Sequence, residues 1–209
     1  MDEIFPGLLS WTAIRETIGQ PVHSAYVVEA RTLIDPMVPP EGLGAFGGNS
    51  GLPAPERILL TNRHHRRHSA RFAERFGCTV AANERGLYEL LDAPLRVRGF
   101  RPGDEVAPGI VAQQVGILCP DESALHITQG PGALAVADGV IRVGDDGALG
   151  FVPDHLLGDE PLAIKRGLAE AYLRLCDELA FETLLLAHGA PVVGDGRDAL
   201  RAFSEAVLR

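Results

Sequence analysis

At 209 residues, of which 46% are hydrophobic and 22% charged, the chain is long enough to bury one core and too apolar for wholesale disorder. The net charge of −9 argues against nucleic-acid binding as the main function, and no apolar run approaches the length of a membrane span. The three cysteines are widely spaced and predict neither a disulfide framework nor a thiolate zinc site. We therefore expect one domain covering 1–209, located in the cytoplasm, without nucleic-acid or membrane partners.

The first part of the chain is predicted to be mainly β-structure. Residues 8–17 are predicted to form a strand, and 24–29 with 31–34 a β-hairpin that ends in Asp35. Glycine and proline then dominate 37–55, which contains the run AFGGNSGLPAP and cannot sustain a helix or a ladder for long. We expect this segment to be a loop that covers another part of the fold.

A strand, helix and strand follow the loop. The apolar run 57–61 predicts a buried strand, the three-to-four spacing of apolar residues in 68–76 predicts a helix, and 79–82 predicts another strand. Two strands joined through a helix favour parallel pairing.

The second half continues with strands and ends with helices. Its predicted strands lie within 95–117 and at 123–127, 133–137, 140–143 and 182–187. The pair Asp138 and Gly139 predicts a hairpin turn after one of these strands. From Pro161 onward, apolar residues spaced by threes and fours predict a long amphipathic helix, and a further helix is predicted at the C-terminus.

Polar residues follow several of the predicted buried strands directly. The residues concerned are Asp35, Asn62, His64, His65, Arg66, Arg67, His68, Asp138 and His188. Imidazole and carboxylate groups brought together at one sheet edge are typical of metal or acid–base sites. Taken singly, each position is explained more simply as a turn or as a polar strand end, so the site hypothesis requires that the strands lie side by side.

The layout from residue 24 onward resembles the metallo-β-lactamase superfamily. The resemblance is carried, in order, by LIDPM, LLTNRHHRRH, CPDESALHI, ALAVADGVI and LLLAHGAPV. It implies an α+β fold, namely a four-layer αββα sandwich of two sheets flanked by helices. It also implies that Asp138 corresponds to the family's bridging aspartate and His188 to its last histidine ligand.

The main metal motif of the family, THxHxDH, is largely lost in this chain. Read from Thr61, the motif has Asn62 in place of the first histidine and His64 in place of the second. Arg66 then replaces the aspartate and Arg67 the last histidine. Because a guanidinium repels a metal cation, a normal two-zinc hydrolase is not expected.

A shift of the motif by one residue does not restore the ligand set either. In that register His65 and His68 match two histidines, but Arg63 and Arg67 replace the other ligands. We expect no bound cofactor, or zinc or iron if the site is partly retained. The residues available for such a metal are His64, His65, His68, Asp138 and His188.

Two main functional hypotheses follow. In the first, the chain is a degenerate, non-catalytic or weakly active member of this fold that binds a small molecule or a protein partner through the former active-site mouth. In the second, it keeps one metal and hydrolyses an ester, a thioester or a lactone. Metal-free acid–base chemistry by a histidine of the cluster is a further alternative.

The retained aspartate leads to one more structural hypothesis. Without metals, Asp138 would be a buried negative charge, which is costly unless a cation pairs with it. Arginine suits this position because its guanidinium stays protonated and holds a carboxylate in a two-pronged pair. We therefore expect Arg63, Arg66 or Arg67 to pair with Asp138.

Overall fold

The computed structural model describes residues 1–48, 51–91, 95–142 and 147–209. The first half of the chain supplies β1 (Asp2–Phe5), β2 (Leu8–Arg15), β3 (Gln20–Val27), β4 (Thr32–Ile34), β5 (Arg57–Leu59), β6 (Thr79–Asn83) and β7 (Val97–Phe100). These strands form one sheet in the order β1-β2-β3-β4-β5-β6-β7. Helix α1 (Ser69–Phe76) connects β5 to β6.

The second half of the chain builds a second sheet and a separate two-stranded pair. This half contains the strands β8 (Glu105–Ala107), β9 (Ile110–Gln114), β10 (Ser123–Ile127), β11 (Ala133–Val136), β12 (Ile141–Arg142), β13 (Leu149–Gly150) and β14 (Thr183–Leu186). The second sheet has the order β14-β11-β10-β9-β8, whereas β12 and β13 pair with each other. Helices α2 (Pro161–Glu178) and α3 (Gly196–Leu208) flank β14 in sequence.

Successive side chains of a strand point to opposite faces of its sheet, and the buried side chains therefore form three core layers. In β11, Ala133 and Ala135 belong to the cluster shared by the two sheets, whereas Leu134 and Val136 belong to the cluster that includes α2 and α3. A third cluster places α1 on the outer face of the first sheet through Phe72. Because successive strand residues point to opposite faces, each sheet is covered on both sides. The predicted four-layer αββα sandwich is confirmed.

The predicted pairings around the first sheet are also confirmed. Strand β3 pairs antiparallel with β4, as the hairpin requires, and β5 pairs in parallel with β6 across α1. Helix α1 ends where Gly77 takes a φ of +71°, a left-handed conformation that glycine adopts without strain. Strand β1, which the sequence analysis did not predict, adds an edge strand to this sheet.

The prediction of a hairpin turn at Asp138 and Gly139 is wrong. Strand β11 pairs with β10 and, in parallel, with β14, whereas β12 pairs with β13. Residue 143 of the predicted strand lies outside the described residues. Glycine is required at position 139 by space, since an added Cβ would lie 2.3 Å from the Tyr172 hydroxyl oxygen and 2.7 Å from a Glu122 carboxylate oxygen.

No helix among the described residues is long and apolar enough to cross a membrane. The compartment and the partner classes expected from composition stay predictions.

The loop predicted at 37–55 covers the outer face of the first sheet, apart from residues 49 and 50, which lie outside the described residues. Its Phe46 is 3% exposed and packs edge-on against Tyr26 and Phe72, with ring centroids 5.3 Å and 5.7 Å apart. The loop therefore contributes to the core.

Replacement of Phe46 by alanine is expected to lower the free energy of unfolding by about 3–5 kcal/mol, because a buried aromatic side chain is lost and a cavity remains. Chemical denaturation of the variant measures this change. Leu162, which is 82% exposed on α2, is the matched control, and Leu162→Ala is expected to change stability by less than about 0.5 kcal/mol. Equal effects of the two substitutions would contradict a core role for the loop.

Candidate functional site

The parallel pairing of β4 with β5 brings Asp35 next to Thr61 at one edge of the first sheet. Asp35 is 3% exposed, and its carboxylate accepts hydrogen bonds from the Thr61 backbone N–H at 2.9 Å and from the Thr61 hydroxyl at 2.5 Å. The backbone of Asp35 has a φ of +46°, an uncommon conformation for a residue with a side chain. Asp35 is thus held by both of its carboxylate oxygens at the strand end.

His65 connects Asp35 to Asp138. Its Nδ1 lies 2.8 Å from Asp35 Oδ2, and its Nε2 lies 3.2 Å from Asp138 Oδ1. The imidazole is buried, in a 3-10 turn formed by Arg63–Arg66. Asp35 follows β4 of the first sheet and Asp138 follows β11 of the second, so one histidine side chain joins the two sheets.

Asn62 caps this turn and also contacts the aspartate. Its side-chain oxygen accepts a hydrogen bond from the His64 backbone N–H at 2.9 Å, and its Nδ2 donates to Asp138 Oδ2 at 2.9 Å. An asparagine can do both because its amide is an acceptor at one atom and a donor at the other.

His188 completes a cluster of three groups. It follows β14, which runs parallel to β11, and its Nε2 lies 3.2 Å from Asp138 Oδ1. One potential ligand atom from each of His65, Asp138 and His188 lies within 4.8 Å of the others. We call these three residues the His–Asp–His cluster.

The pKa values in this cluster reflect the competition between burial and opposite charge. Burial alone would lower the pKa of His65, but the carboxylates of Asp138 and Asp35 outweigh it and raise the pKa to about 9. Burial alone would raise the pKa of Asp138, but His65 and His188 hold it well below its usual range. At neutral pH, in the absence of a metal, His65 is therefore an imidazolium between two carboxylates.

Arg67 lies at the same edge but does not bind a carboxylate. Its guanidinium donates to the backbone carbonyls of His23, Asp35 and Ala187, which belong to β3 and to the ends of β4 and β14. Its pKa is lowered, mainly by burial. The backbone of Arg67 has a φ of +42°, which positions the side chain inward at a cost in strain.

The expected ion pair between an arginine and Asp138 is wrong. Arg63 binds Asp121 through its guanidinium and lies 2.8 Å from Glu89, whereas Arg66 is exposed. Asp138 instead accepts hydrogen bonds from two imidazoles and an amide. No arginine takes this position because the turn at 63–66 directs the side chain of His65 toward Asp138.

The predicted site residues fall into two groups. The structure brings together Asp35, Asn62, His65, Arg67, Asp138 and His188. It keeps His64, Arg66 and His68 away from Asp138: the first two are exposed, and His68 Nδ1 accepts a hydrogen bond from the Val38 backbone N–H at 3.0 Å. Among the described residues, the group that could hold a metal ion contains His65, Asp138 and His188 and neither His64 nor His68.

Two further residues of the site, Thr61 and Glu122, are not among those predicted from the sequence. Glu122 lies within CPDESALHI, is 1% exposed, and accepts a hydrogen bond from the Gly139 backbone N–H at 2.8 Å. Burial, together with the charge of Asp138, raises the pKa of Glu122 to about 8, so its carboxyl group is mostly neutral at neutral pH. The available signal was a pair of adjacent carboxylates, Asp121 and Glu122, directly before a predicted strand.

Within the part of the chain that the structure describes, the donor set fits one metal ion. Two imidazoles and one carboxylate match the three protein ligands of a catalytic zinc site, which keeps one position open. The contact of His65 Nδ1 with Asp35 has the form of the carboxylate–histidine pairs that orient metal ligands. Asn62 and Arg67, in the positions of two motif histidines, offer no comparable ligand for a second ion.

Comparison with known proteins identifies the fold. No family model and no curated protein matches the chain. A metallo-β-lactamase from Erythrobacter litoralis superposes with a TM-score of 0.67 at 12% identity, covering 98% of this chain and 95% of that chain. A metallo-β-lactamase family protein from Thermus thermophilus gives a TM-score of 0.62 at 17% identity, covering 98% and 81%. A superfamily protein from Sulfolobus tokodaii gives 0.63 at 13% identity, covering 97% and 86%.

Substitution of Arg67 by alanine is expected to lower the free energy of unfolding by about 2–4 kcal/mol, because buried carbonyls at the strand ends lose their charged donor. Its exposed neighbour provides the control, since Arg66→Ala is expected to change stability by less than about 0.5 kcal/mol. Urea denaturation of both variants measures the difference. If the two variants lose similar amounts of unfolding free energy, the guanidinium of Arg67 does not stabilise the fold.

The stability of the metal-free protein is expected to depend on the ionisation of His65. Because its folded pKa is about 9 and that of an unfolded histidine about 6.5, the stabilisation is complete below about pH 6.5 and is lost as the pH rises through 9. Unfolding measured with a chelator present from pH 6 to 10 tests this. His65→Gln should flatten the decline, whereas exposed His64→Gln should retain it. A metal-bound cluster would behave oppositely, because a metal binds neutral imidazole and binds better as the pH rises.

Proposed function

We propose that this protein, which has the metallo-β-lactamase fold, has a degenerate metal site and binds a small molecule or a protein partner at the former active-site mouth, with little or no catalysis. The observation that supports this most is the hydrogen bonding of Asp138. Its two carboxylate oxygens accept from His65, His188 and Asn62, so that its charge is balanced by side chains of the chain itself.

The position of Arg67 supports the same proposal. Its buried guanidinium lies near enough to Asp138 to interact with its charge. A divalent ion at the cluster would face this positive charge across a poorly screened interior. Protonated His65 adds a second positive charge, and a metal can bind its imidazole only after it displaces the proton.

The second candidate function is a hydrolase with one metal ion. The observation that favours it is the convergence of the ligand atoms of His65, Asp138 and His188 within 4.8 Å, with Asp35 behind His65. A metal bound there would supply a Lewis acid and a water molecule of lowered pKa. Asp35 and Thr61 would orient the imidazole of His65, and Asn62 would fix the rotation of the Asp138 carboxylate. Glu122, neutral and buried beside Asp138, could hold a proton close to the reaction.

Metal content separates the two candidates. After dialysis against metal-free buffer, the purified protein is expected to contain substoichiometric zinc and iron by elemental analysis, and lactone and thioester turnover is expected to stay near background. Stoichiometric zinc or iron would overturn the first proposal and favour the hydrolase.

The location of any metal can be tested with a matched pair of variants. If zinc binds in calorimetric titration, His65→Ala should remove the binding at the cluster, whereas His64→Ala should leave it intact, because His64 lies outside the cluster. Zinc binding that is equal in both variants would mean that the ion occupies another part of the surface.

A further inference from the structure

The segment that supplies His65 to the His–Asp–His cluster also lines a concave pocket of about 390 Å³. Its other wall comes from the end of β2 and the turn after it, with Arg15, Glu16 and Thr17. This volume lies within the range of about 300–1,000 Å³ that is typical of small-molecule sites.

The histidines and arginines of 63–68, all of which the structure describes, fall into two groups. His65 contacts Asp138. The others line the pocket, namely Arg63, His64, Arg66, Arg67 and His68.

The pocket has a positive formal charge on a protein whose net charge is −9. Four arginines line it, against two glutamates, Glu16 and Glu89. Glu89 lies 2.8 Å from Arg63, and Glu16 lies 3.8 Å from His68 Nε2. Glu89 thus pairs with a guanidinium at the edge of the pocket, whereas Glu16 lies beside an imidazole whose other ring nitrogen accepts a hydrogen bond from Val38.

The guanidinium groups of these arginines differ in whether they have hydrogen-bond or ion-pair partners. Arg63 is bound by Asp121 and Glu89, and Arg67 by backbone carbonyls. Within the described residues, the guanidinium groups of Arg15 and Arg66 have neither a hydrogen bond nor an ion pair. Two guanidinium groups thus remain available in a pocket of ligand size.

The cations of the pocket also repel one another. Four guanidinium groups line one pocket, against two carboxylates. Like charges brought together are unfavourable, and a bound anion would relieve the repulsion. Guanidinium groups hold carboxylate and phosphate oxygens in two-pronged geometry.

We propose that this pocket binds a small molecule through an oxyanion group, a carboxylate or a phosphate, held by Arg15 and Arg66 with His64 as an additional donor. The inference rests on the binding function proposed above and names its ligand class. Arg63 and Arg67 contribute charge to the pocket while they retain their structural partners.

Titration with inorganic phosphate and, separately, with succinate tests this proposal, at a constant ionic strength set with sodium chloride. The melting temperature is expected to rise by several degrees with at least one of the two anions. Arg15→Gln and Arg66→Gln are each expected to weaken binding by about tenfold, or about 1.4 kcal/mol. Arg85→Gln, at an exposed arginine outside the pocket, is the control and should bind as the unmodified protein does.

The two anions distinguish the possible ligands. A response to phosphate alone supports a phosphorylated ligand, a response to succinate alone supports a carboxylate ligand, and a response to both supports a general oxyanion site. No response beyond that of chloride overturns the proposal. Binding that is equal in Arg15→Gln, Arg66→Gln and the unmodified protein also overturns it.

The titration is performed with a chelator present, so that a metal at the His–Asp–His cluster does not contribute to anion binding. Stoichiometric metal found by elemental analysis would then overturn the metal-free function and leave a positive anion titration valid. A negative titration with substoichiometric metal would overturn only the assignment of the ligand class.

Discussion

The pairing of two largely buried carboxylates through one imidazole is the interaction on which the functional edge of this fold depends. Asp35 and Asp138 belong to different sheets, and an unpaired carboxylate in either position would cost several kcal/mol. His65 contacts both at once, at 2.8 Å and 3.2 Å. The edges of the two sheets are thereby held together by a cation that the chain itself supplies.

Arg67 fulfils a parallel role for the backbone. Buried carbonyl groups need hydrogen-bond donors, and a carbonyl oxygen can accept from two of them. The Asp35 carbonyl also accepts from the Ser24 hydroxyl, and the Ala187 carbonyl from the His23 backbone N–H. The guanidinium of Arg67 donates to carbonyls of both sheets, from His23 and Asp35 in one and from beyond β14, at Ala187, in the other. In place of a motif histidine the chain thus has a residue that binds the scaffold directly.

The short segment 62–68 connects these structural contacts to the proposed binding function. Asn62 and His65 turn toward the sheet edges, His64 and Arg66 line the pocket, and Arg67 does both. The structural contacts and the proposed ligand contacts are therefore made largely by different residues of one short segment. Because of this separation, a substitution at Arg66 is expected to affect ligands without affecting stability.

The sequence by itself determined the strands and helices from which the layers are built, whereas the four-layer arrangement was implied by the resemblance. The continuous apolar run of β11 predicts a strand that is buried on both faces, and the period near 3.6 in α2 predicts a helix with one buried face. The strand–helix–strand order at 57–82 predicts the parallel pairing. The sequence also located the polar strand ends, since Asp35, Asp138 and His188 directly follow apolar runs.

Only the tertiary structure decided which polar residues meet. The sequence contains adjacent imidazoles at His64 and His65, and spacing alone cannot tell which one turns inward. The 3-10 turn at 63–66 buries His65, and the left-handed backbone at Arg67 aims its guanidinium at carbonyls from distant strands. The partner of Asp138 follows from this geometry, because contacts between segments more than 70 residues apart depend on how the sheets stack and not on any local pattern.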